Sequence, residues 1–600
     1  MKVKLVLLSL SLMSFVYLGQ TEAQSQSLPV CVSAASDPDG DGYGWENNQS
    51  CISAATSVNQ VDSCEDHGGF PWGWNPAAGV SCRLDGASQT SQTSPASQTS
   101  SPATVVNTGG SLAYPQRTAF EIKSLGTDFW PNRQELLDAN ISGVQVNLVW
   151  ANWQPSLTTN CTSEQIRFDG QCFTINTAFD ERIKYWSSQG KPVTGILYGT
   201  PSWARDNNQC TAATQDRAIF CAARNPNDYA RFTAMIAERY NGLNGNGRVV
   251  DFVIHNEVNL NEWYKVDCGA GIACDTQRWI DDYARNFNAA YDRITAIQPQ
   301  ARVMVPFAHQ FDPALDNPSS SNPVLSVQTF LRGLHARAGG RTWRVAYHPY
   351  HVRLDSAATS YDDLPYVTFG NIGVLAGWLR QEFAFQPESW EIHLTENGVS
   401  SNGLSNEQSQ DIAVCNSYRN VLGTPGIENY IYHRMQDHPL EADAGGAFGL
   451  RRSDGSAKPV WNTWSQMSGR NGQRNNLDCG FEHLPYVRLV NLVNSRGDYR
   501  ASTRVVGNGF NAVNDWYLLR EPEPNTTMAY ECRLGAGSYV STDVHCGGAL
   551  SYGPLGYVHN SDAADREPLF TCSNGSQNYS SSSCNGDEVR EFIGYAKGQR

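Results

Sequence analysis

Two glutamates follow apolar, strand-forming runs at positions far apart in the sequence. Glu257, preceded by Asn256, ends the run RVVDFVIHNEVN, and Glu396 ends the run SWEIHLTENGVS. A facing pair of carboxyl groups can break an acetal, because one supplies a proton to the departing oxygen and the other places negative charge beneath the anomeric carbon. A single glutamate at a strand end is more often solvated or paired with a base, so this chemistry depends on the elements that would bring the two together.

The region from residue 110 to 470 alternates short apolar runs with longer amphipathic segments, which predicts a parallel sheet covered by helices. Apolar residues at three-and-four spacing predict helices at 227–240, 277–297 and 327–338. Strands are predicted at 119–125, 143–149, 192–198, 249–255, 302–307, 344–348, 390–395 and 429–433. The predicted fold class is therefore α/β, a (β/α)8 TIM barrel, whose reactive groups lie at the carboxyl ends of the strands.

The placement of the two glutamates resembles clan A of the retaining glycoside hydrolases. Both follow the expected strands, four and seven, and the resemblance extends to PSWA after strand three, HPY after strand six and the closing segment DGSAKPVWNTW. It implies that Glu257 is the acid/base, with a raised pKa, and that Glu396 is the nucleophile. It also implies that Asn256 binds the sugar 2-hydroxyl.

The HPY segment supplies two further candidates for substrate binding, His348 and Tyr350. In several clan members a tyrosine at this place positions the nucleophile, so the resemblance implies that role for Tyr350. Tyr347 and His351 flank the pair, and either assignment is open at this stage.

Aromatic and basic residues near other strand ends complete the predicted substrate site. Trp153 and Trp203 are either sugar-stacking walls or parts of the core. The polar cluster NYIYHRMQDHP ends the eighth strand, and within it His433 and Arg434 are the predicted substrate contacts.

A small cysteine-rich module is predicted at residues 24–86. Its GWENNQSC stretch resembles the cellulose-binding modules of carbohydrate-binding family ten over about 25 residues. The resemblance implies a flat aromatic platform that stacks on sugar rings, although in so small a unit the same side chains could form the core. These aromatic residues are Tyr43, Trp45, Trp72 and Trp74.

The same module contains a pattern of alternating carboxylates, Asp37, Asp39 and Asp41, followed by Gly. This spacing is typical of the first, third and fifth ligands of a calcium loop. Position twelve is Asn48 instead of the usual bidentate Glu. A structural calcium ion is therefore a possible ligand of the module, and no cofactor is expected for catalysis.

Two segments are not expected to belong to any folded domain. Residues 1–23 combine an N-terminal pair of lysines with an apolar run and a small residue at the end, which predicts a cleaved secretory signal and an extracellular protein. Residues 87–109 are rich in Ser, Thr, Gln and Pro, and they are predicted to be a flexible linker. No later run is long enough to predict a membrane span.

The C-terminal region, residues 471–600, is predicted to be all-β and to contain an internal repeat. Tyr499, Tyr539 and Tyr579 lie in similar short segments about 40 residues apart. Three all-β copies of that length resemble a β-trefoil, which implies either a lectin or a structural appendage of the barrel.

Cysteine usage and charge exclude several classes of function. The chain has 16 cysteines, several in close pairs at 161/172, 210/221, 268/274, 532/546 and 572/584, which favours disulfides over zinc sites. A net charge of −15 argues against nucleic acid as a partner. Metal-dependent hydrolysis would need a compact ligand set such as HExxH, and the sequence has none.

The sequence therefore predicts a secreted, monomeric glycoside hydrolase that cleaves an extracellular polysaccharide by a two-glutamate retaining mechanism. The alternative is a non-catalytic carbohydrate-binding protein on a degenerate barrel. A plant cell-wall glycan and an algal galactan or fucan are both open as substrates, as are linkage and endo or exo action.

Overall fold

The computed structural model describes most of the chain from residue 112 onward. Described are residues 112–115, 121–127, 132–205, 210, 215–266, 268–269, 272–443, 445–467, 479, 485–507 and 509–598, with the backbone of five N-terminal strands. The chain divides into two compact units. One comprises Met1–Ser14, Tyr114–Thr127 and Asn132–Arg600, and the other comprises Phe15–Ala113 and Asp128–Pro131.

Eight parallel strands form a closed barrel in chain order, with the last strand pairing with the first. The strands are β1 (Lys123–Gly126), β2 (Gly143–Val149), β3 (Val193–Tyr198), β4 (Val249–Ile254), β5 (Arg302–Ala308), β6 (Arg344–His348), β7 (Ile392–Leu394) and β8 (Ile427–Tyr432). All eight predicted strands are confirmed, and the α/β TIM-barrel fold class with them.

A helix follows each strand and packs on the outside of the barrel. The helices are α1 (Arg133–Asp138), α2 (Thr177–Ser188), α3 (Pro226–Arg239), α4 (Thr276–Ile297), α5 (Val327–His335), α6 (Gly373–Glu382), α7 (Glu407–Leu422) and α8 (Pro459–Gln466). Short polar side chains fix several of their starts. Asn225 caps α3, Asp275 caps α4 and Ser326 caps α5, each accepting a hydrogen bond from a backbone N–H of the first turn. The three predicted helices are confirmed.

Shorter elements lie in the loops at the carboxyl ends of the strands. A hairpin (Gln165–Phe168 with Gln171–Thr174) and a one-turn helix (Trp150–Trp153) follow β2, and a helix at Pro439–Asp443 follows β8. Ile196, Val253, Met304 and Ala346, from the consecutive strands β3 to β6, form a buried cluster in the barrel. It is therefore a packed core, and a ligand site has to lie at the rim.

The C-terminal domain contains nine antiparallel strands in three similar units of three. They are β9 (Tyr486–Asn494), β10 (Tyr499–Ser502), β11 (Phe510–Leu519), β12 (Thr526–Leu534), β13 (Gly537–Ser541), β14 (Ser551–His559), β15 (Arg566–Ser573), β16 (Asn578–Ser581) and β17 (Glu588–Lys597). In each unit the first strand pairs with both others. The all-β prediction is confirmed, while the assignment to the β-trefoil fold stays a prediction.

Disulfides form at all five predicted pairs, 161/172, 210/221, 268/274, 532/546 and 572/584. A sixth, between Cys415 and Cys479, joins α7 to the segment that leads into the C-terminal domain. Its partners are 64 residues apart, so their spacing gave no indication of it.

The N-terminal unit contains five short strands. Tyr43–Glu46 pairs with Gln49–Ile52, and Trp72–Asn75 lies between Glu65–Asp66 and Val80–Arg83. The predicted signal segment (1–23) and linker (87–109) lie outside the described residues. Among the described residues, no helix combines the length and apolar composition that a membrane crossing requires.

Candidate active site

Glu257 lies just beyond β4 in a turn with unusual backbone geometry. His255 has φ of 65° and Glu257 has φ of 35°, both in the left-handed region that residues with a Cβ rarely adopt. Two buried tyrosines support this turn. The Tyr229 hydroxyl donates to the Leu197 carbonyl at the end of β3 (2.6 Å), and the Tyr283 hydroxyl donates to the Ile254 carbonyl (3.1 Å).

The His255 ring points away from the barrel axis into this tyrosine layer. It stacks on Tyr229 with 4.2 Å between ring centroids and meets Tyr264 edge-on at 4.9 Å. Because the His255 side chain packs among these tyrosines, the turn directs Glu257 toward the rim of the barrel. Strained backbone of this kind is common at functional sites.

Glu396 lies two residues beyond β7 and is half-buried. The residue after it ties β7 to β8, because Asn397 Nδ2 donates to the Ile431 carbonyl (2.6 Å) and the His433 N–H donates to the Asn397 carbonyl (2.6 Å). The position of Glu396 is thus fixed by backbone contacts between neighbouring strand ends.

The two glutamates meet at the carboxyl-terminal rim of the barrel. A carboxylate oxygen of Glu257, a ring nitrogen of His348 and a carboxylate oxygen of Glu396 all lie within 4.8 Å of one another. The Tyr350 hydroxyl donates a 3.0 Å hydrogen bond to Glu396 Oε1. The neighbouring Tyr347 donates instead to the Val367 carbonyl (2.8 Å), so Tyr350 is the tyrosine of the HPY segment that reaches the nucleophile candidate.

The His348 side chain is not at the surface of the rim, where we predicted that it would contact substrate. Its side chain is fully buried, with Nδ1 2.8 Å from Glu257 Oε1 and Nε2 3.2 Å from Thr395 Oγ1. Burial lowers the pKa of His348 to about 4, although Glu396 opposes this effect. A neutral His348 between two polar partners orients Glu257, and this corrects its assignment to substrate binding.

Glu257 has the electrostatic character of a proton donor. Burial, together with the charge of Glu262, raises its pKa to about 8, and His433 opposes the shift. A carboxyl group with this pKa is protonated at neutral pH, as a general acid must be.

Glu441, in the short helix after β8, was missed by the sequence analysis. Arg434 Nη2 lies 2.9 Å from Glu441 Oε1, and His433 Nε2 lies 3.7 Å from the same oxygen. Burial alone would raise the pKa of Glu441, but Arg434 and His433 lower it to about 2. The predicted basic pair is therefore bound by a carboxylate that lies two residues beyond the end of the predicted cluster.

The charge of Glu396 also acts on His433. Burial and Arg434 oppose its protonation, but the charges of Glu396 and Glu441 outweigh them and raise its pKa above the usual 6.5. Acidic and basic groups thus lie close together around Glu396.

The remaining predicted contacts divide between rim and core. Asn256 is 8% exposed beside Glu257. Trp203 is half-buried, with its indole N–H donating to the Gln154 carbonyl (2.9 Å). Trp153 is only 2% exposed and packs against Phe179. It has no free face for a sugar ring, so its prediction as a stacking wall is corrected to a core position.

The candidate residues of the N-terminal module cannot be placed in the same way. Tyr43 and Trp45 lie in the strand Tyr43–Glu46, and Trp72 and Trp74 lie in the strand Trp72–Asn75. Their side chains lie outside the described part of the structure, as do the calcium candidates Asp37, Asp39 and Asp41.

A metal ion is a poor fit to the cluster at the rim. Within the described part of the chain, Glu257, His348 and Glu396 are the one group close enough to share an ion. Both ring nitrogens of His348 already have partners at hydrogen-bond distance, one of them Glu257 itself. A metal ion would have to break the contact between His348 and Glu257, so we propose no metal-dependent step.

Comparisons with solved structures find glycoside hydrolases at low similarity. A family 39 glycoside hydrolase from Bacteroides cellulosilyticus WH2 is 12% identical, with a TM-score of 0.39 over 73% of this chain and 81% of that one. A glucosidase from Croceicoccus marinus is 13% identical, with a TM-score of 0.39 over 60% and 68%. The GH53 catalytic domain of Ignisphaera aggregans is 11% identical, with a TM-score of 0.36 over 59% and 98%. Likenesses this weak carry no functional argument.

Sequence comparisons are more specific about the domains. No curated protein matches the chain. A model described as a cellulose or protein binding domain matches residues 20–53, which overlap the first part of the predicted N-terminal module (24–86). A second model, described as a family of unknown function (DUF5722), matches residues 115–477, which is more than half of the chain and includes the whole barrel, so this chain belongs to that family.

Proposed function

We propose that the barrel is a retaining glycoside hydrolase with Glu257 as acid/base and Glu396 as nucleophile. The observation that carries this proposal is the pair of strand-end carboxyl groups within 4.8 Å of one another. Such a gap suits a retaining enzyme, whose carboxyl groups are roughly 5 Å apart, better than an inverting one, which needs space for a water between them. A degenerate barrel would have no need to keep this pair together.

The first step uses the raised pKa of Glu257. Its proton passes to the glycosidic oxygen while Glu396 attacks the anomeric carbon, so that the bond to the departing sugar breaks and a glycosyl ester with Glu396 forms. In the second step the ionised Glu257 takes a proton from water, which attacks the same carbon and releases Glu396. Asn256 is proposed to hydrogen-bond the 2-hydroxyl, where the interaction strengthens in the transition state.

Two neighbours hold these groups in place. Tyr350 donates to Glu396 and fixes its attacking direction. His348 contacts the Glu257 carboxyl group and holds its orientation, and Thr395 in turn contacts the other ring nitrogen of His348. Trp203, His433 and Arg434 are proposed to contact the sugars that flank the cleavage point.

The substrate class proposed is an extracellular polysaccharide. The match to a cellulose or protein binding domain supports this proposal, because a tethered binding module raises the local concentration of a polymer but gives little advantage with a small glycoside. The protein is proposed to be secreted and monomeric. A structural calcium ion bound by Asp37, Asp39 and Asp41 is proposed for the N-terminal module alone.

The test is hydrolysis of a panel of plant and algal polysaccharides and of 2,4-dinitrophenyl glycosides of common neutral sugars. Glu257→Gln and Glu396→Gln should each lower the rate of polysaccharide hydrolysis by roughly 10²- to 10⁴-fold. Glu181→Gln is the matched control, because the Glu181 side chain is 72% exposed on α2. NMR of the first product should show the anomer of the substrate. Near wild-type hydrolysis by either glutamine variant would contradict the assignment.

A further inference from the structure

A buried glutamate marks the place where the C-terminal domain meets the barrel. Glu531 is 0% exposed and lies on β12, the first strand of the middle unit. The corresponding residues of the other two units are Asn491 and Thr571, which are also buried. Both bond within the domain, Asn491 to the Ser580 carbonyl and Thr571 to the Val540 carbonyl. Only the middle unit places a carboxyl group at this position.

Glu531 accepts hydrogen bonds from four side chains, and one of them belongs to the barrel. Within the C-terminal domain the donors are Ser538 Oγ (2.7 Å), Ser502 Oγ (2.8 Å) and Arg504 Nη2 (2.7 Å). The fourth is the hydroxyl of Tyr361. A buried carboxylate needs such complete satisfaction, because each missing donor leaves charge without solvation. The barrel tyrosine is therefore part of what makes the buried charge tolerable.

Tyr361 lies in the loop between β6 and α6, residues 349–372, which we call the Tyr350 loop. A second set of contacts surrounds its ring. The Arg500 guanidinium lies 4.6 Å from the ring centroid of Tyr361, and Arg500 Nη2 donates to Asp362 Oδ2 (3.3 Å). The Tyr552 hydroxyl donates to Asp362 Oδ1 (2.9 Å). Two consecutive residues of the loop are thus held by the C-terminal domain.

The backbones of the two domains also touch beside this loop. A Cβ on Gly373, at the start of α6, would collide with the Tyr552 carbonyl, and a Cβ on Gly553 would collide with the Gly373 carbonyl. Further along, the Val505 N–H donates to Asn420 Oδ1 (2.7 Å) near the end of α7. Contact at this distance leaves the domain no freedom to rotate against the barrel without breaking hydrogen bonds.

The other end of the Tyr350 loop reaches the nucleophile candidate. Tyr350 donates to Glu396 and packs with Leu354 and Phe448 in one buried cluster. Between its two ends the loop is bonded to the segment after β7, because the Leu404 N–H donates to the Asp355 carbonyl (2.8 Å). The loop therefore runs from the C-terminal domain to the active site with contacts along its length.

We propose that Glu531, through Tyr361, holds the Tyr350 loop in place, and that the C-terminal domain thereby positions Tyr350 against Glu396. The catalytic part of this inference rests on the proposed function, and the structural part does not. Glu531 and Tyr361 are positioning residues, since neither touches the carboxyl pair. The C-terminal domain accordingly contributes to catalysis by holding the Tyr350 loop.

The test uses the full-length protein with Tyr361→Phe and Glu531→Gln. Tyr579→Phe is the matched control, because the Tyr579 hydroxyl bonds Asp587 within the third unit, away from the barrel. We expect hydrogen exchange to accelerate in peptides from the Tyr350 loop in both variants and not in the control. With the most reactive 2,4-dinitrophenyl glycoside of the panel, kcat should fall between about threefold and 100-fold while KM changes less than about threefold.

Tyr361→Phe keeps the ring and removes one hydroxyl, so it should fold even if Glu531→Gln, which leaves Arg504 without its counter-charge, does not. Unchanged exchange of the loop in Tyr361→Phe overturns the anchoring claim. Faster exchange with unchanged kcat overturns the positioning claim. If the wild-type protein hydrolyses nothing in the panel, the proposed function fails, whereas the exchange comparison still decides whether the domain holds the loop.

Discussion

His348 Nδ1 lies 2.8 Å from Glu257 Oε1, and His348 has no exposed surface. The imidazole therefore contacts the Glu257 carboxyl group and cannot contact a ligand in the cleft. Its other nitrogen is 3.2 Å from Thr395 Oγ1, beside Glu396 in sequence, so one side chain connects the ends of β4 and β7. The relative placement of the two glutamates depends on this bridge as well as on the barrel.

Replacing His348 should impair proton donation more than nucleophilic attack. In His348→Gln we expect kcat/KM to fall by roughly tenfold or more on aryl glycosides with poor leaving groups, and by much less on 2,4-dinitrophenyl glycosides, which need no acid. His545→Gln, exposed in the C-terminal domain, serves as control. Equal losses on both substrates would assign His348 a purely structural role.

The pH dependence should reveal the acid directly. Because burial raises the pKa of Glu257 to about 8, the group is protonated below that pH and loses its proton above it. We expect kcat/KM on unactivated substrates to decline as pH rises through about 8. The decline should be absent with 2,4-dinitrophenyl glycosides. A basic limb shared by both substrates would point to a different group.

The same pKa shift predicts a change in stability. An ordinary glutamate titrates near 4.5, so above that pH the unfolded state loses the proton while folded Glu257 keeps it, and folding becomes less favourable up to about pH 8. Glu257→Gln removes this cost. Its melting temperature should exceed that of the wild-type protein by an amount that grows between pH 5 and pH 8. Glu181→Gln, at an exposed position on α2, is the control for the substitution itself.

The strand order and the proximity of the two strand-end glutamates were predictable because both depend on local pattern. Apolar β-type runs separated by amphipathic helices leave few alternatives to a barrel, and the rule that reactive groups lie at carboxyl ends of strands selects Glu257 and Glu396. Contacts between distant segments were not predictable. Glu441 and the Cys415–Cys479 disulfide depend on how loops fold back across the rim and the outer helices, which no periodicity encodes.

His348 and Trp153 show that side-chain direction was also not predictable from the sequence. Residue type and position near a strand end suggested substrate contact for each. The direction of a side chain decides between rim and core, and at a strand end one residue of register reverses it. His348 points toward Glu257, whereas Trp153 packs beneath the rim against Tyr240 and Phe179.

Glu441 should contribute to stability through its partly buried pair with Arg434. The two side chains are 14% and 9% exposed, so Glu441→Gln leaves a cation with little solvent to stabilise it. We expect a loss of about 3 kcal/mol in the free energy of unfolding. Glu407→Gln breaks a matched pair with Arg452 whose side chains are 32% and 43% exposed, and it should cost less than about 1 kcal/mol. Denaturant titration of the two variants compares them, and equal costs would contradict the burial argument.

The Cys415–Cys479 disulfide should matter more than a short-range one. It closes a loop of 64 residues, whereas Cys268–Cys274 closes one of 6, and a cross-link removes more entropy from the unfolded chain when its loop is longer. We expect the double Cys→Ser variant at 415 and 479 to lose roughly 2 to 5 kcal/mol of unfolding free energy. The variant at 268 and 274 should lose less.

Because Cys479 precedes the C-terminal domain, the variant at 415 and 479 should also speed hydrogen exchange in β9 relative to β3. Loss of equal size in both variants, with β9 unaffected, would show that the long-range bond does not tie the domain to α7.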